Sequence, residues 1–171
     1  GITRIRGVFE IIKSLENKNV KLNLAGKFNS VKYEAECKNA LEWNRVNFLG
    51  SLDRKGVKNV CENSKIGMVT LYPIINYLEA LPVKMFEYMS AGIPVISSNF
   101  PLWKEIIEGN NCGLTVDPKD PKQISSAIEK LLSDEKQAEE MGKNGRKAVE
   151  EVYNWGIEEK KLFNTYEEIL K

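Results

Sequence analysis

Short apolar runs alternate with stretches of helical periodicity along the whole chain. Val20–Ala25, Val46–Leu49, Ile66–Leu71, Pro94–Ser98 and Gly113–Val116 read as strands. Ile66–Leu71 is apolar almost without interruption, as a parallel strand covered on both faces has to be. Between the runs, apolar residues recur at helical spacing. Val8, Ile11, Ile12 and Leu15 predict a helix from about Gly7 to Glu16. Tyr33, Cys37, Ala40 and Leu41 predict one buried helix face, and Val57, Val60 and Cys61 the next. Leu102–Glu108 is a short helix, Ile124, Ala127, Ile128 and Leu131 mark another, and a charged helix follows over 135–152. In 155–170, Leu162, Phe163, Tyr166 and Ile169 form a stripe expected to enter the core. This alternation predicts an α/β fold, a Rossmann-like parallel sheet with helices on both faces. Sites in such sheets lie at the carboxyl ends of the strands. Gly26, Gly50, the loop over 72–79 and the turn after Ser98 fall there, and Gly50 is a candidate wall against a bound base.

The totals remove whole classes of function. The 171 residues carry a formal net charge of +1, which gives no electrostatic case for nucleic acid. No apolar run is long enough to span a membrane. Histidine is absent, so a Ser-His-Asp triad, a Cys-His dyad and His-containing metal sites are excluded. The three cysteines, Cys37, Cys61 and Cys112, form no paired motif and read as reduced, packed thiols of a cytoplasmic protein. The start, GITRIRGV, reads as the middle of a longer chain. All of 1–171 is expected to be one domain.

Chemistry concentrates in YLEALPVKMFEYMSAGIPVISS, residues 77–98. Glu79 and Glu87 flank seven residues that include Pro82, which suits a first helical turn. A helix is expected from about Pro82 to Ala91, closed by Gly92 and Pro94. The amides of Val83, Lys84 and Met85 would then point out of its positive end, towards an anion. An anion site between two carboxylates suits a ligand with phosphate in the middle and hydroxyls at each end. Read in isolation, the same residues also fit a loop charge at Glu79 and an ion pair between Glu87 and Lys84. Near the start, Arg4 and Arg6 precede Gly7 and a helix, a second basic approach to a phosphate.

The segment from Glu79 to Ile96 resembles the E-x7-E region of GT-B glycosyltransferases of the retaining family 4 type, group 1. The resemblance runs from the Arg6-Gly7 loop to Val116 and implies the C-terminal, nucleotide-sugar-binding half of such an enzyme. In that family a strand stands immediately before the basic loop, and here it is missing. The resemblance implies that Glu79 meets hydroxyls of the transferred sugar and Glu87 the ribose hydroxyls. It places backbone at Leu81, Val83 and Lys84 against the diphosphate and sugar. Arg6-Gly7 stands where the family has Lys-Gly, and Arg4 is the nearest counterpart of its other basic residue. Where many members have Gly this chain has Pro82, which moves the amide contact to Val83 or Lys84. No cofactor is implied beyond a nucleoside diphosphate sugar as donor substrate, and no metal, in keeping with the lack of an Asp-x-Asp. The implied activity is hexosyl transfer to an acceptor hydroxyl in polysaccharide or glycolipid assembly. The acceptor, a glycan or lipid, would be held by an N-terminal domain, and peripheral membrane association is open for the full-length protein. Two other readings stay open, half of a GT-B sugar-nucleotide epimerase and a non-catalytic flavodoxin-like binding module.

Overall fold

The computed structural model describes residues 1–170. Among them each strand is followed by at least one helix, α4 and α5 both lying between β3 and β4 and three helices following β5. A single 3-10 turn, Arg4–Arg6, leads into α1 (Val8–Lys13), then β1 (Leu22–Ala25), α2 (Val31–Lys38), β2 (Val46–Gly50), α3 (Arg54–Glu62) and β3 (Gly67–Val69). After these come α4 (Ile75–Leu78), α5 (Val83–Ser90), β4 (Val95–Ser98), α6 (Pro101–Gly109), β5 (Gly113–Val116), α7 (Pro121–Ser133), α8 (Glu135–Glu151) and α9 (Trp155–Ile169). Every ladder is parallel, as the alternation predicts, but the strands form two sheets. β1 pairs with β2, and β3, β4 and β5 form the other sheet in that order.

The central strand β4 explains the layering. Consecutive side chains on a strand point to opposite faces, and all four β4 residues are buried. Val95 enters a core made with Met85 and Met89 of α5, Trp103, Ile106 and Ile107 of α6 and Ala148 of α8. Ile96 enters the opposite core, with Ile124, Ile128 and Leu131 of α7, Met141 of α8 and Leu15. A third core joins Val8 and Ile12 of α1 to Leu24, Phe28, Tyr33 and Cys37 around the small sheet. Helix starts follow their caps: Ser30, Asp53, Asp120, Asp134 and Asn154 each accept a backbone N–H with a side-chain oxygen.

Several expectations are corrected. Leu41 leaves the Tyr33–Cys37 face and is 87% exposed, because α2 ends at Lys38 and Ala40 turns to extended backbone. Trp43 of the 3-10 turn Leu41–Arg45 packs on that core instead. The stretch before Glu79 holds the one-turn helix α4 rather than a plain loop. Pro82 caps α5 from outside, with extended backbone, and its carbonyl accepts the Met85 N–H at 2.9 Å. Pro101, placed in a turn by the sequence, is the first residue of α6. The stripe of α9 is not core: Phe163 is 60% exposed, Ile169 is 74% exposed, and no residue of the helix is buried.

One glycine on α8 has a packing reason. A Cβ on Gly142 would lie 2.0 Å from the Gly92 carbonyl oxygen, in the turn between α5 and β4. Glycine costs a helix interior ~1 kcal/mol relative to alanine, so Gly142→Ala would ordinarily stabilise. Here it should lower Tm, whereas Gly109→Ala, whose Cβ meets nothing within 4 Å, should be neutral. Thermal unfolding of the two variants checks this; a Tm for Gly142→Ala at or above the parent's would show that α8 does not press on that turn.

Candidate functional site

The carboxyl ends of the strands converge on the 3-10 turn and the α5 start. Gly7, in left-handed backbone (φ +64), turns the chain into α1, and a Cβ there would lie 2.1 Å from the Thr70 carbonyl oxygen. Only glycine combines that φ with that approach. Ile5 accepts the Tyr72 N–H at 2.8 Å, so the basic turn is fastened to the exit of β3. The Tyr72 hydroxyl donates to Glu10 of α1 at 2.6 Å. Burial first, then the Glu10 bond, push the Tyr72 pKa well up, so the phenol stays protonated.

Lys84 and Arg6 are the electrostatic centre. Both are half-buried, and among the described residues neither has a carboxylate partner. Burial, and then the charge on Arg6, push the Lys84 pKa down to about 8. The ion pair between Glu87 and Lys84 that the sequence left open is not formed. Pro82 leaves α5 without a side-chain cap and its first turn has no acidic residue. The Met85 amide, expected to be free, is bonded to Pro82; the amides of Val83 and Lys84 remain. In chemical terms this combination suits an anion.

The other predicted residues stand around this centre in different states. Glu79 and Glu87 are both exposed. Glu87 raises the neighbouring Cys61 thiol pKa, an effect second to burial. Arg4 is engaged: it pairs with Glu36, and its guanidinium lies 4.9 Å from the Tyr33 ring centroid. The amide of Phe9 in the first turn of α1 is already taken by the Tyr33 hydroxyl at 3.1 Å, so that helix end offers less to a phosphate than the sequence suggests. Leu81 is exposed beside Val83. Gly50 ends β2 in left-handed backbone, and its carbonyl accepts the Gly26 N–H at 2.6 Å.

One supporting residue was missed. Trp103 is fully buried, and its indole N–H donates to the Ala80 carbonyl at 2.7 Å. That bond fixes the backbone between Glu79 and Pro82 to α6. Nothing in sequence spacing links positions 80 and 103; the only signal is a tryptophan one turn into a helix that follows a strand. Below it, the Ser98 hydroxyl donates to the Leu71 carbonyl at 2.6 Å, locking the ends of β3 and β4 together.

This chain is similar to several proteins that carry sugar-transfer names. An uncharacterised glycosyltransferase of Methanocaldococcus jannaschii is 30% identical over 155 residues, covering 90% of this chain and 38% of the relative. The capsular polysaccharide biosynthesis glycosyltransferase CapM of Staphylococcus aureus is 27% identical over 177 residues, covering 99% of this chain and 45% of the relative. The chain thus spans less than half the length of these relatives. Among solved structures, HepE of Anabaena in complex with UDP-glucose superposes with TM-score 0.84 at 18% identity, over 98% of this chain and 46% of that one. The C-terminal domain of the group 1 glycosyl transferase LpcC of Francisella tularensis superposes with TM-score 0.76 at 20% identity, over 90% of this chain and 83% of that one. The parallel sheets flanked by helices are thus those of the C-terminal, Rossmann-like half of the GT-B fold. The pattern of the family described as Glycosyl transferases group 1 covers residues 1–148, from the basic turn through most of α8, and the chain belongs to that family.

Proposed function

We propose that this domain binds the nucleoside diphosphate sugar donor of a retaining glycosyltransferase, which passes a hexosyl group to an acceptor hydroxyl in polysaccharide or glycolipid assembly. The observation that carries the reading is the juxtaposition of Lys84 with Arg6: two half-buried cations without counter-ions among the described residues, at a helix start without a side-chain cap. A diphosphate supplies the missing charge. Arg6, Lys84 and the Val83 amide hold it and stabilise it as it leaves. Exposed Glu79 accepts from the sugar hydroxyls, with Leu81 beside it, and Glu87 accepts from the ribose. Gly50 lines the base. Arg4 contributes after release from Glu36, and therefore contributes less. The name of HepE in complex with UDP-glucose supports a donor of this kind. On this reading the donor binds without added metal, the work is cytoplasmic, and the acceptor glycan or lipid is held by a further, N-terminal domain. The domain alone would bind donor and transfer little.

Calorimetry with UDP, GDP and ADP, and with their sugars, tests the reading in the absence of metal. Arg6→Ala should weaken nucleoside diphosphate binding by about 1.5–3 kcal/mol and flatten its salt dependence. Arg4→Ala should cost less, since its charge is already spent on Glu36. Parent-like binding by Arg6→Ala would return Arg6 to the solvated surface.

Lys84 gives a pH signature. With its pKa at about 8 in the free protein, the ammonium that meets the phosphate is lost as pH rises past that value. Affinity should therefore fall between pH 7.5 and 9, by up to about tenfold per pH unit beyond the pKa. Lys84→Arg, charged throughout this range, should bind with little pH dependence there. If Lys84→Met keeps the parent's profile, another group sets it.

The two carboxylates should separate by ligand. Glu87→Gln removes the charged acceptor for ribose and should weaken nucleoside diphosphate and nucleotide sugar alike. Glu79→Gln should spare the bare nucleoside diphosphate and weaken only the nucleotide sugar. In the full-length enzyme Glu79→Gln should act chiefly on kcat, if its contact tightens as the sugar flattens. Equal losses for both ligands in both variants would mean that the two ends of the site are assigned the wrong way round.

A further inference from the structure

The basic turn is weakly held by its own residues. Arg4–Arg6 is three residues long and none of them is buried. Its own bonds run from the Arg6 N–H to the Thr3 carbonyl and from the Gly7 N–H to the Arg4 carbonyl, both at 3.0 Å. A segment with so little packing opens at low free energy. The place of Arg6 is therefore set by what borders the turn. Before it, Ile2 donates to Lys27 at 2.7 Å and accepts from Asn29 at 3.2 Å. After it come Gly7 and α1, a helix of only six residues.

Two tyrosines fasten that second border. The Tyr33 hydroxyl accepts the Phe9 N–H at 3.1 Å from the side of the small sheet. On the side of the large sheet one residue, Tyr72, makes two bonds. Its N–H donates to the Ile5 carbonyl at 2.8 Å and its hydroxyl to Glu10 at 2.6 Å. Ile5 belongs to the turn and Glu10 to α1, so Tyr72 clasps the chain on both flanks of Arg6 and Gly7. Glu10 lies three residues past Gly7, on the same side of the helix. Thr70, fully buried, closes on Gly7 from the same strand exit that delivers Tyr72. The Lys119 ammonium, in the loop between β5 and α7, lies 5.2 Å from the Tyr72 ring centroid and restrains the ring.

The bond to Glu10 matters more than an ordinary surface contact. Among the described residues Glu10 has no cationic partner, and its second carboxylate oxygen is buried without a hydrogen-bond partner. The phenol satisfies this half-buried carboxylate with a neutral donor and leaves the charge on Arg6 unspent. Hydrogen bonds to an ionised acceptor are about twice as strong as neutral ones, and removing the donor would strand the acceptor.

We propose that Tyr72, acting through Glu10, is a positioning residue for Arg6, on the reading above that Arg6 meets a diphosphate. The clasp sets where the guanidinium stands before the ligand arrives. A charged group displaced by about 1 Å loses much of its contact.

Calorimetry with whichever of UDP, GDP and ADP binds the parent tightest tests this. Tyr72→Phe, which deletes only the hydroxyl, should weaken binding about five- to tenfold, a part of the loss expected for Arg6→Ala. Its Tm should fall by no more than about 4 °C. In an Arg6→Ala background the same substitution should cost less than about twofold, because the two losses share one contact. Glu10→Gln keeps an acceptor oxygen for the phenol and should bind like the parent, whereas Glu10→Ala should bind like Tyr72→Phe. Equal losses from Tyr72→Phe with and without Arg6 would overturn the proposal, since the bond would then serve stability alone. So would equal losses in Glu10→Gln and Glu10→Ala. Weak binding by Arg6→Ala beside parent-like binding by Tyr72→Phe would overturn the role of Tyr72 and leave the donor reading standing. Parent-like binding by Arg6→Ala, or no binding of any of the three nucleotides by the parent, would overturn both.

Discussion

A parallel strand has no hairpin neighbour to hold it and no face it can leave wet, so it persists only where both faces are covered. β4 meets that demand in full, with a ladder on each side and four buried residues. The helices before and after it, α5 and α6, are bound by the same condition. Each must lie against the strand, and the turns that connect them arrive at its ends. The site depends on this. α5 presents its first turn at the carboxyl rim because Met85 and Met89 are committed to the β4 core. Trp103 reaches Ala80 because α6 is pressed onto the same strand. Moving β4 would move the cations, the carboxylates and their fastening together.

The alternation of elements and the parallel sheet were legible because burial on both faces leaves a continuous apolar run, and little else does. The region 77–98 was legible because a proline, a glycine and a second proline fix where a helix begins and stops. What was not legible involves choices made in three dimensions. Leu41 fits a helical face by spacing, but α2 ends three residues earlier at Lys38, and Ala40 adopts extended dihedrals. Pro82 fits the first helical position equally well as the cap, and its extended backbone decides for the cap. The α9 stripe has the pattern of a core helix, yet a pattern records what a helix could cover and not what lies beside it. In the site, residue types and order were readable. The state of each charge was not: Arg4 is occupied by Glu36, Lys84 is left alone, and Glu87 stands exposed.

The arrangement of charge sets the site apart from an ordinary surface. Exposed lysines elsewhere find partners at low energetic consequence, as Lys104 does with Glu108 and Lys38 with Glu34. Lys84 and Arg6 instead hold like charge together with partial loss of solvent, which destabilises the empty domain. Such groups cluster where a ligand completes them. Around the Gly7 turn, Thr3, Thr70 and one oxygen of Glu10 are also buried without hydrogen-bond partners among the described residues. The cost of these groups is borne by the three cores beneath, which is why the packing and the proposed chemistry have to be read as one system.

The last helix has a consequence of another kind. α9 is held by its Asn154 cap, its own ladder and local pairs such as Lys161 with Glu158. Isolated helices of about this length are marginal in water. Without buried residues, α9 shares none of the cooperative free energy that binds β4 to its neighbours. It therefore belongs to a separate unit of unfolding, one that frays gradually while the strand core melts in a single step. The helical content of this domain and the integrity of its fold are two different observables, and the first will begin to fall while the second is still intact.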